Sequence, residues 1–315
     1  MRRQPSALNA LIAIDKPLGL TSHDVVSRVR RAVGERRVGH AGTLDPAASG
    51  VLVVGIGQAT KLLGLLTLDR KGYVATFQLG AETATDDAEG EVARTAPVPN
   101  ELFEESVACA AVASLKGEKD QVPPAYSAIS VGGRRAYALA RSGESVELAA
   151  RHVTIYDAEL VCVDAAARTW TVVLDVSKGT YVRSIARDLG RELGCLAHVC
   201  GLCRTFSGPV GLDACVGLDE LAEGGADLVR ERCLDPVATL GLAARPLSLE
   251  ELADVTNGRP IVLGTVGATN GEARRAEPGE HVCLTFDGAL AGIWERRGAR
   301  LACQVNFPQA IEGVR

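Results

Sequence analysis

The stretch Gly72-Tyr73-Val74-Ala75-Thr76-Phe77-Gln78-Leu79-Gly80 follows a two-residue period, which puts Tyr73, Ala75, Phe77 and Leu79 on one face of a β-strand. A strand with one apolar face needs neighbouring strands and a covering layer, so this segment constrains the chain strongly. Val153–Val163 and Thr169–Val176 read as two more strands, joined near Asp164–Arg168 as a hairpin. Leu11–Asp15 is a short strand and Val51–Gly55 a buried one. Thr21-Ser22-His23-Asp24 carries helix-capping chemistry. Val25, Val26, Val29 and Val33 follow at helical spacing with arginines opposite, and Gly34 is the expected C-cap. Further helices are expected over Ala59–Leu66, over residues 100–116, from about Tyr181 to Leu193, and over residues 218–240. Residues 1–9 read as a loose tail. From Pro246 to about Phe307 the texture changes to short strands and turns, with Asp287-Gly288 as a hairpin signal, which makes a candidate small β domain.

Between the first helix and the Val51–Gly55 strand lies Gly39-His40-Ala41-Gly42-Thr43-Leu44-Asp45-Pro46-Ala47-Ala48-Ser49-Gly50. Its glycines allow tight backbone, and Pro46 pushes Asp45 out of helical geometry. Arg28, Arg30, Arg31, Arg36 and Arg37 stand just upstream, against the single acid Glu35 between Val25 and His40. A carboxylate on a stiff loop beside arginines fits a nucleophile or base acting on a polyanion. It equally fits a well-capped surface turn.

The composition narrows the classes. A chain of 315 residues, 47% hydrophobic and 23% charged, affords a sizeable core in one large and one small domain, or in two medium ones. The net charge of −5 argues against indiscriminate nucleic-acid binding and leaves room for a local basic patch. No secretory leader or membrane span is expected, because the apolar run Ala10–Ile14 is short and ends at Asp15 and Lys16. Nine cysteines, an odd number in a chain this large, fit reduced thiols in the cytoplasm.

Three motifs invite chemistry that the spacing does not support. Gly55-Ile56-Gly57-Gln58-Ala59-Thr60 resembles a dinucleotide-binding turn, but Thr60 stands at the third small position, and a plain strand-to-helix turn explains it better. The acidic stretch Thr83–Gly90, with Asp86, Asp87 and Glu89, lacks the ligand spacing of a calcium loop. Cys195, His198, Cys200 and Cys203 crowd into nine residues with no second pair elsewhere, so apolar cysteines on a short strand are the plainer reading, and no metal is expected.

Taken in order, the motifs resemble the TruB-type family of tRNA pseudouridine synthases over nearly the whole chain. Gly39–Pro46 with Ser49-Gly50 is similar to that family's catalytic-loop motif. Asp15-Lys16-Pro17 with Thr21-Ser22-His23-Asp24 resembles its N-terminal motif. Lys71-Gly72-Tyr73 matches the strand bearing an active-site tyrosine, and Gln121-Val122-Pro123-Pro124-Ala125-Tyr126-Ser127-Ala128 the segment leading into an RNA-gripping insertion. Gly179-Thr180-Tyr181-Val182-Arg183 and His198 to Leu202-Cys203-Arg204-Thr205 match the remaining core motifs. Cys203 stands where the family has arginine.

The resemblance implies an α+β pseudouridine synthase fold: a central mixed, largely antiparallel sheet flanked by helices, plus a small C-terminal PUA-type, barrel-like module. The expected boundaries are a catalytic domain over residues 1–242, with an insertion at about 121–150, and an RNA-binding module over 243–315. The activity implied is isomerisation of uridine 55 in the T stem-loop of tRNA, by a monomer without cofactor or metal. A non-catalytic tRNA-binding or tRNA-folding protein is the alternative. An aspartate-nucleophile phosphotransferase is disfavoured because Ala47, not an acid, stands two residues after Asp45.

The chemistry fits this assignment. Asp, with an ordinary pKa of about 3.9, is anionic near neutral pH and can form a covalent adduct with either uracil C6 or ribose C1′. Arg183, if it pairs with Asp45, would hold that carboxylate ionised and aimed. Tyr73 would stack on the base and assist proton removal; the alternative is a core aromatic. Tyr181 and Leu202 would wall the pocket. The target base must flip out, and His40 would fill the space it leaves, unless it only caps its loop by a hydrogen bond. The backbone contacts fall to Arg28, Arg30, Arg31, Arg36, Arg37, Arg134 and Arg135, since the eight arginines of Arg245–Arg315 are matched by nine acids.

Overall fold

The computed structural model describes residues 6–66, 70–127, 129–131, 134–135, 137, 139, 148–267 and 273–315. The chain divides into two compact units, Met1–Asp45 with Gly50–Leu68 and Ser207–Arg315, and Pro46–Ser49 with Asp69–Phe206.

In the first unit, strands β1 (Ala10–Lys16), β2 (Val38–Ala41) and β3 (Ala48–Ile56) surround helix α1 (Ser22–Val33) in sequence. β3 runs antiparallel to both others, with Ile12 opposite Val54 on one edge and His40 opposite Val54 on the other. Cys215–Val216 adds a short parallel partner to β1. α1 starts where expected: Thr21 and Asp24 form a capping box, and Gly34 ends it in left-handed geometry at φ 68°. Val25, Val26 and Val29 are buried against Ile12, Ile14, Val54 and the helix Leu218–Arg232. Each such side chain contributes roughly 1.5–3 kcal/mol when fully removed from water.

The opposite face of β1 and β3 is also covered. Leu11, Ala13, Val51 and Val53 pack with Cys283, Ile293, Phe307 and Ile311 from the C-terminal strands. Burial on both faces is why Val51–Val54 reads as a continuous apolar run rather than an alternating one. The C-terminal strands form a seven-stranded sheet. His281–Phe286 and Ala289–Arg297 pair antiparallel across Asp287-Gly288, both at positive φ (49° and 69°), as a primed hairpin turn requires. The period of two sends Val282 and Leu284 into a separate core with Trp294, Leu301 and Val255, and Cys283 toward β1 and β3.

The expected loose tail is corrected for residues 6–9. Leu8 is buried, Ser6 exchanges hydrogen bonds with the Gln309 amide (3.0 and 2.9 Å), and the Asn9 carbonyl accepts from Glu312 N–H at 2.8 Å. One apolar side chain and three backbone bonds outweigh the disorder that composition suggested. The same segment explains Gly57, which has φ 59° and where a Cβ would lie 2.3 Å from the Leu8 carbonyl oxygen. This glycine thus answers to packing rather than to a phosphate. The expected Ala59–Leu66 helix splits into a 3-10 turn, Gly57–Lys61, and the short helix α2 (Leu63–Leu66).

In the second unit, β4 (Lys71–Leu79) pairs antiparallel with Thr169–Val176, which pairs with Arg151–Asp164, which pairs with Gly117–Gln121. Ala197–Ser207 lies on the other edge of β4. The hairpin falls where expected, with Asp164 opposite Thr169. Tyr73, Ala75, Phe77 and Leu79 are all buried. The helix α3 (Glu105–Ala113) is shorter than predicted, after a 3-10 turn at Asn100–Phe103. The helix Val182–Glu192 buries Ile185, Ala186 and Leu189. Of the insertion, Ser130–Val131 and Arg134–Arg135 pair antiparallel, while the expected Gly132-Gly133 turn and residues 140–147 lie outside the described residues. Among the described residues, no helix is long and apolar enough to cross a membrane.

Candidate active site

Asp45 sits half-buried in the irregular turn between β2 and β3. Gly42 enters that turn at φ 80°, and Gly50, just inside β3, stands at φ 100°. The loop is fastened from α1. The buried Ser22 hydroxyl accepts the Leu44 N–H at 2.9 Å and donates to the Leu44 carbonyl at 3.0 Å. Lys16, also buried, donates its ammonium to the carbonyls of Pro17 (2.8 Å) and Leu20 (2.6 Å), closing the turn that feeds α1. The N-terminal motif therefore braces the Asp45 loop through Ser22, while Lys16 holds the turn that leads into α1. His40 lies on β2, its ring edge-on to His23 at 5.6 Å between centroids.

The basic stretch beside the loop is not uniform. Arg28, Arg30, Arg31 and Arg36 are exposed and Arg37 is half-buried. Arg30 donates to the Val38 carbonyl at 2.9 Å and ties α1 to β2. Arg37 donates from Nε to the Thr60 hydroxyl at 2.8 Å. Two of the five arginines thus have work within the fold.

A second group gathers at the start of the helix Val182–Glu192. Arg183 lies in its first turn, where a cation opposes the helix dipole. The side chain is nonetheless buried, and it is satisfied by the carbonyls of Thr85 (2.8 Å) and Tyr126 (3.1 Å) and by the Asp87 carboxylate at 3.3 Å. One turn later Arg187 pairs with Asp86 at 3.0 Å and donates to the Val122 carbonyl at 2.8 Å. Two turns later Arg191 meets Glu82 at 2.6 Å, a residue also held by Arg94. Burial pushes the Asp86 carboxyl above the usual carboxylate range, against the opposing pull of Arg187. Glu82 is lowered instead: burial raises it, but the hydrogen bonds from Arg191 and Arg94 together outweigh that.

Sequence reasoning misses this ladder, although its signal is present: arginines at four-residue spacing (Arg183, Arg187, Arg191) and the acids Glu82, Asp86 and Asp87 in one short segment. The acidic loop binds arginines rather than a cation from solution.

Tyr181 caps this helix by its backbone, between the two ends of the Gln121 side chain. Its N–H donates to Gln121 Oε1 at 2.8 Å, and its carbonyl accepts from Gln121 Nε2 at 3.1 Å. Ser184 donates to the Val122 carbonyl at 2.9 Å. The whole Gln121–Tyr126 segment is therefore latched onto the helix that carries Tyr181 and Arg183. Tyr73 is buried on β4, opposite Leu174. Its neighbour Gly72 accommodates the Phe206 ring, which a Cβ would meet at 2.1 Å. Leu202 and Cys203 are half-buried on Ala197–Ser207, beside the fully buried Arg204. Arg134 is exposed; the Arg135 side chain lies outside the described residues. His198 Nδ1 lies 2.9 Å from the Ala81 carbonyl, and the Cys200 thiol points at the Thr76 carbonyl. Among the described residues no cluster of His, Cys, Asp and Glu has metal-ligating geometry.

The candidate residues are thus a carboxylate on a braced loop of the first unit and, in the second, a buried tyrosine on a strand and an arginine fixed at a helix start. Chains of this fold occur in solved structures of a Cbf5–Nop10–Gar1 complex (TM-score 0.67, 23% identity, covering 95% of this chain and 84% of that one). They occur also in an H/ACA ribonucleoprotein bound to a substrate RNA containing 2′-deoxyuridine (TM-score 0.66, 22% identity, covering 95% and 84%). Residues 30–182 match the TruB family pseudouridylate synthase N-terminal domain, and residues 183–240 the tRNA pseudouridylate synthase B C-terminal domain. The tRNA pseudouridine synthase B of Mycobacteroides abscessus is 48% identical over 86% of this chain and 91% of its own length. That of Nocardia farcinica is 45% identical over 95% and 93%. This chain belongs to the TruB family of pseudouridylate synthases.

Proposed function

We propose that this isomerase converts uridine 55 in the T stem-loop of tRNA to pseudouridine, as a cytoplasmic monomer, with Asp45 as the covalent nucleophile. The observation that carries the assignment of Asp45 is its loop, held through Ser22 to a capped helix and followed by Pro46. The N1–C1′ bond breaks, the base turns, and C5 bonds to C1′. The C5 proton is lost and N1 gains one, so the reaction consumes no co-reactant. A carboxylate that adds and later departs divides this rearrangement into easier steps.

Tyr73 and Arg183 act on the same uridine. Tyr73 stacks on the base and assists removal of the C5 proton. Arg183, fixed by two carbonyls and Asp87, presents its charge with little freedom to lose. Tyr181 and Leu202 wall the base, and His40 takes the place of the flipped nucleotide, whose extrusion costs a few kcal/mol. Arg28, Arg30, Arg31, Arg36 and Arg134 are the exposed candidates for phosphate contact, Arg30 with one of its nitrogens already given to the Val38 carbonyl. The C-terminal strands over 243–315 act as a PUA-type RNA-binding module, adding shape more than charge.

The deciding experiment maps pseudouridine in tRNA transcripts treated with purified protein and with Asp45→Asn. Wild type modifies position 55 and the variant leaves it as uridine. Modification by Asp45→Asn at the wild-type rate refutes the nucleophile assignment.

A further inference from the structure

We infer that Ser22 is a positioning residue for the nucleophile, acting through the peptide group that precedes Asp45. The inference rests on the reading of Asp45 given above. Ser22 is the first residue of α1, yet its hydroxyl takes no part in capping the helix, which Thr21 and Asp24 do between themselves. Instead it forms a reciprocal pair with one residue, accepting from Leu44 N–H at 2.9 Å and donating to Leu44 C=O at 3.0 Å. It is 1% exposed and Leu44 4%, so water does not compete for either bond.

The Leu44 carbonyl belongs to the peptide that enters Asp45, and fixing its oxygen fixes the plane of that peptide. On the other side, Pro46 restricts Asp45 to extended geometry. Both peptides flanking Asp45 are therefore constrained, one by Ser22 and one by Pro46. The anchor is rigid: α1 has both ends capped and buries Val25, Val26 and Val29. A hydroxyl is the group this task requires, because it donates and accepts strongly at once, which an alanine cannot do and a thiol does only weakly and at longer distance. Loss of the pair frees the loop to sample misplaced carboxylate positions, and displacement by about 1 Å can cost 10²-fold in rate.

The test compares wild type, Ser22→Ala, Ser22→Cys and Ser22→Thr in single-turnover pseudouridine formation at saturating tRNA, with tRNA affinity and thermal unfolding measured alongside. A positioning role lowers the rate of Ser22→Ala and Ser22→Cys about 10- to 100-fold, leaves tRNA affinity within about twofold, and is largely rescued by Ser22→Thr, which keeps the hydroxyl. If Ser22→Ala is unfolded at the assay temperature, Ser22→Cys, which retains the volume, decides. A wild-type rate in a folded variant overturns the inference, as does weakened tRNA affinity with the saturating rate unchanged. Asp45→Asn runs in parallel. Inactive Asp45→Asn beside fully active Ser22→Ala sinks the positioning role alone, whereas active Asp45→Asn sinks the nucleophile assignment on which it rests.

Discussion

Gln121 offers the sharpest check on how the second group of site residues is held. Its amide spans the Tyr181 backbone, accepting the N–H at 2.8 Å and donating to the carbonyl at 3.1 Å. The partners fix the orientation of the amide, since an N–H can only face oxygen and a carbonyl can only face nitrogen. The residue is 5% exposed. Replacement by alanine removes the bond to the Tyr181 carbonyl, worth about 0.5–1.5 kcal/mol, and leaves the Tyr181 N–H without its Gln121 acceptor, at about 1–3 kcal/mol. The Tyr181 carbonyl keeps the Ile185 N–H at 3.2 Å, so only the donor is stranded. The expected loss is about 2–4 kcal/mol in urea unfolding followed by circular dichroism.

Gln121→Glu adds a pH dependence. The carboxylate still accepts the Tyr181 N–H, but its other oxygen faces a carbonyl in a buried place. Burial and repulsion raise its folded-state pKa above the ordinary value near 4.3. Protonation restores a donor, so the variant gains stability as pH falls through the folded-state pKa and loses it at higher pH. Its deficit relative to wild type should be clear at pH 8 and shrink toward pH 5. The reasoning fails if Gln121→Ala costs less than about 0.5 kcal/mol, or if the glutamate deficit is the same at both pH values.

Three other perturbations follow from the same structure. Arg187→Met leaves Asp86 buried without its cation and should cost about 3–5 kcal/mol in urea unfolding, and adding Asp86→Asn to it should recover part of the loss. Gly57→Ala forces a side chain into positive φ against the Leu8 carbonyl and should destabilise by about 1–3 kcal/mol, whereas Gly64→Ala, in open space on α2, should be neutral or stabilising by up to about 1 kcal/mol on thermal unfolding. Replacing Arg31 and Arg36 by glutamine should weaken tRNA binding and reduce the slope of log affinity against log salt by about one for each phosphate no longer neutralised, while Arg30→Gln, which frees the Val38 carbonyl, should lower stability more than it changes that slope.

Local structure is largely legible from short stretches of chain. The strand at Lys71–Leu79, the hairpin across Asp164–Arg168, the capped helix α1 and the Asp287-Gly288 turn each rest on a short-range rule of period, capping or turn chemistry. Where local rules fail, tertiary contacts override them. Residues 6–9 read as a tail because nothing in their composition announces Gln309 or Glu312, some 300 positions away. The acidic loop at Asp86 and Asp87 invites a calcium reading and does not announce its true partners, because Arg183 and Arg187 lie about 100 residues downstream.

The candidate site divides in the same way. The ordered motifs named Asp45, Tyr73 and Arg183 and, by resemblance, the family to which the comparisons assign the chain. Sequence alone thus nominated the residues proposed for the chemistry, since residue type and local backbone are written in adjacent positions. Only the tertiary structure decided how they are held: Ser22 grips Leu44, Gln121 grips Tyr181, and Arg30, though exposed, ties α1 to β2 while Arg37 binds the Thr60 hydroxyl. Those assignments depend on which hydroxyl, amide or guanidinium meets which backbone group across 8 to 60 residues of chain, and that is settled by how the strands and helices pack.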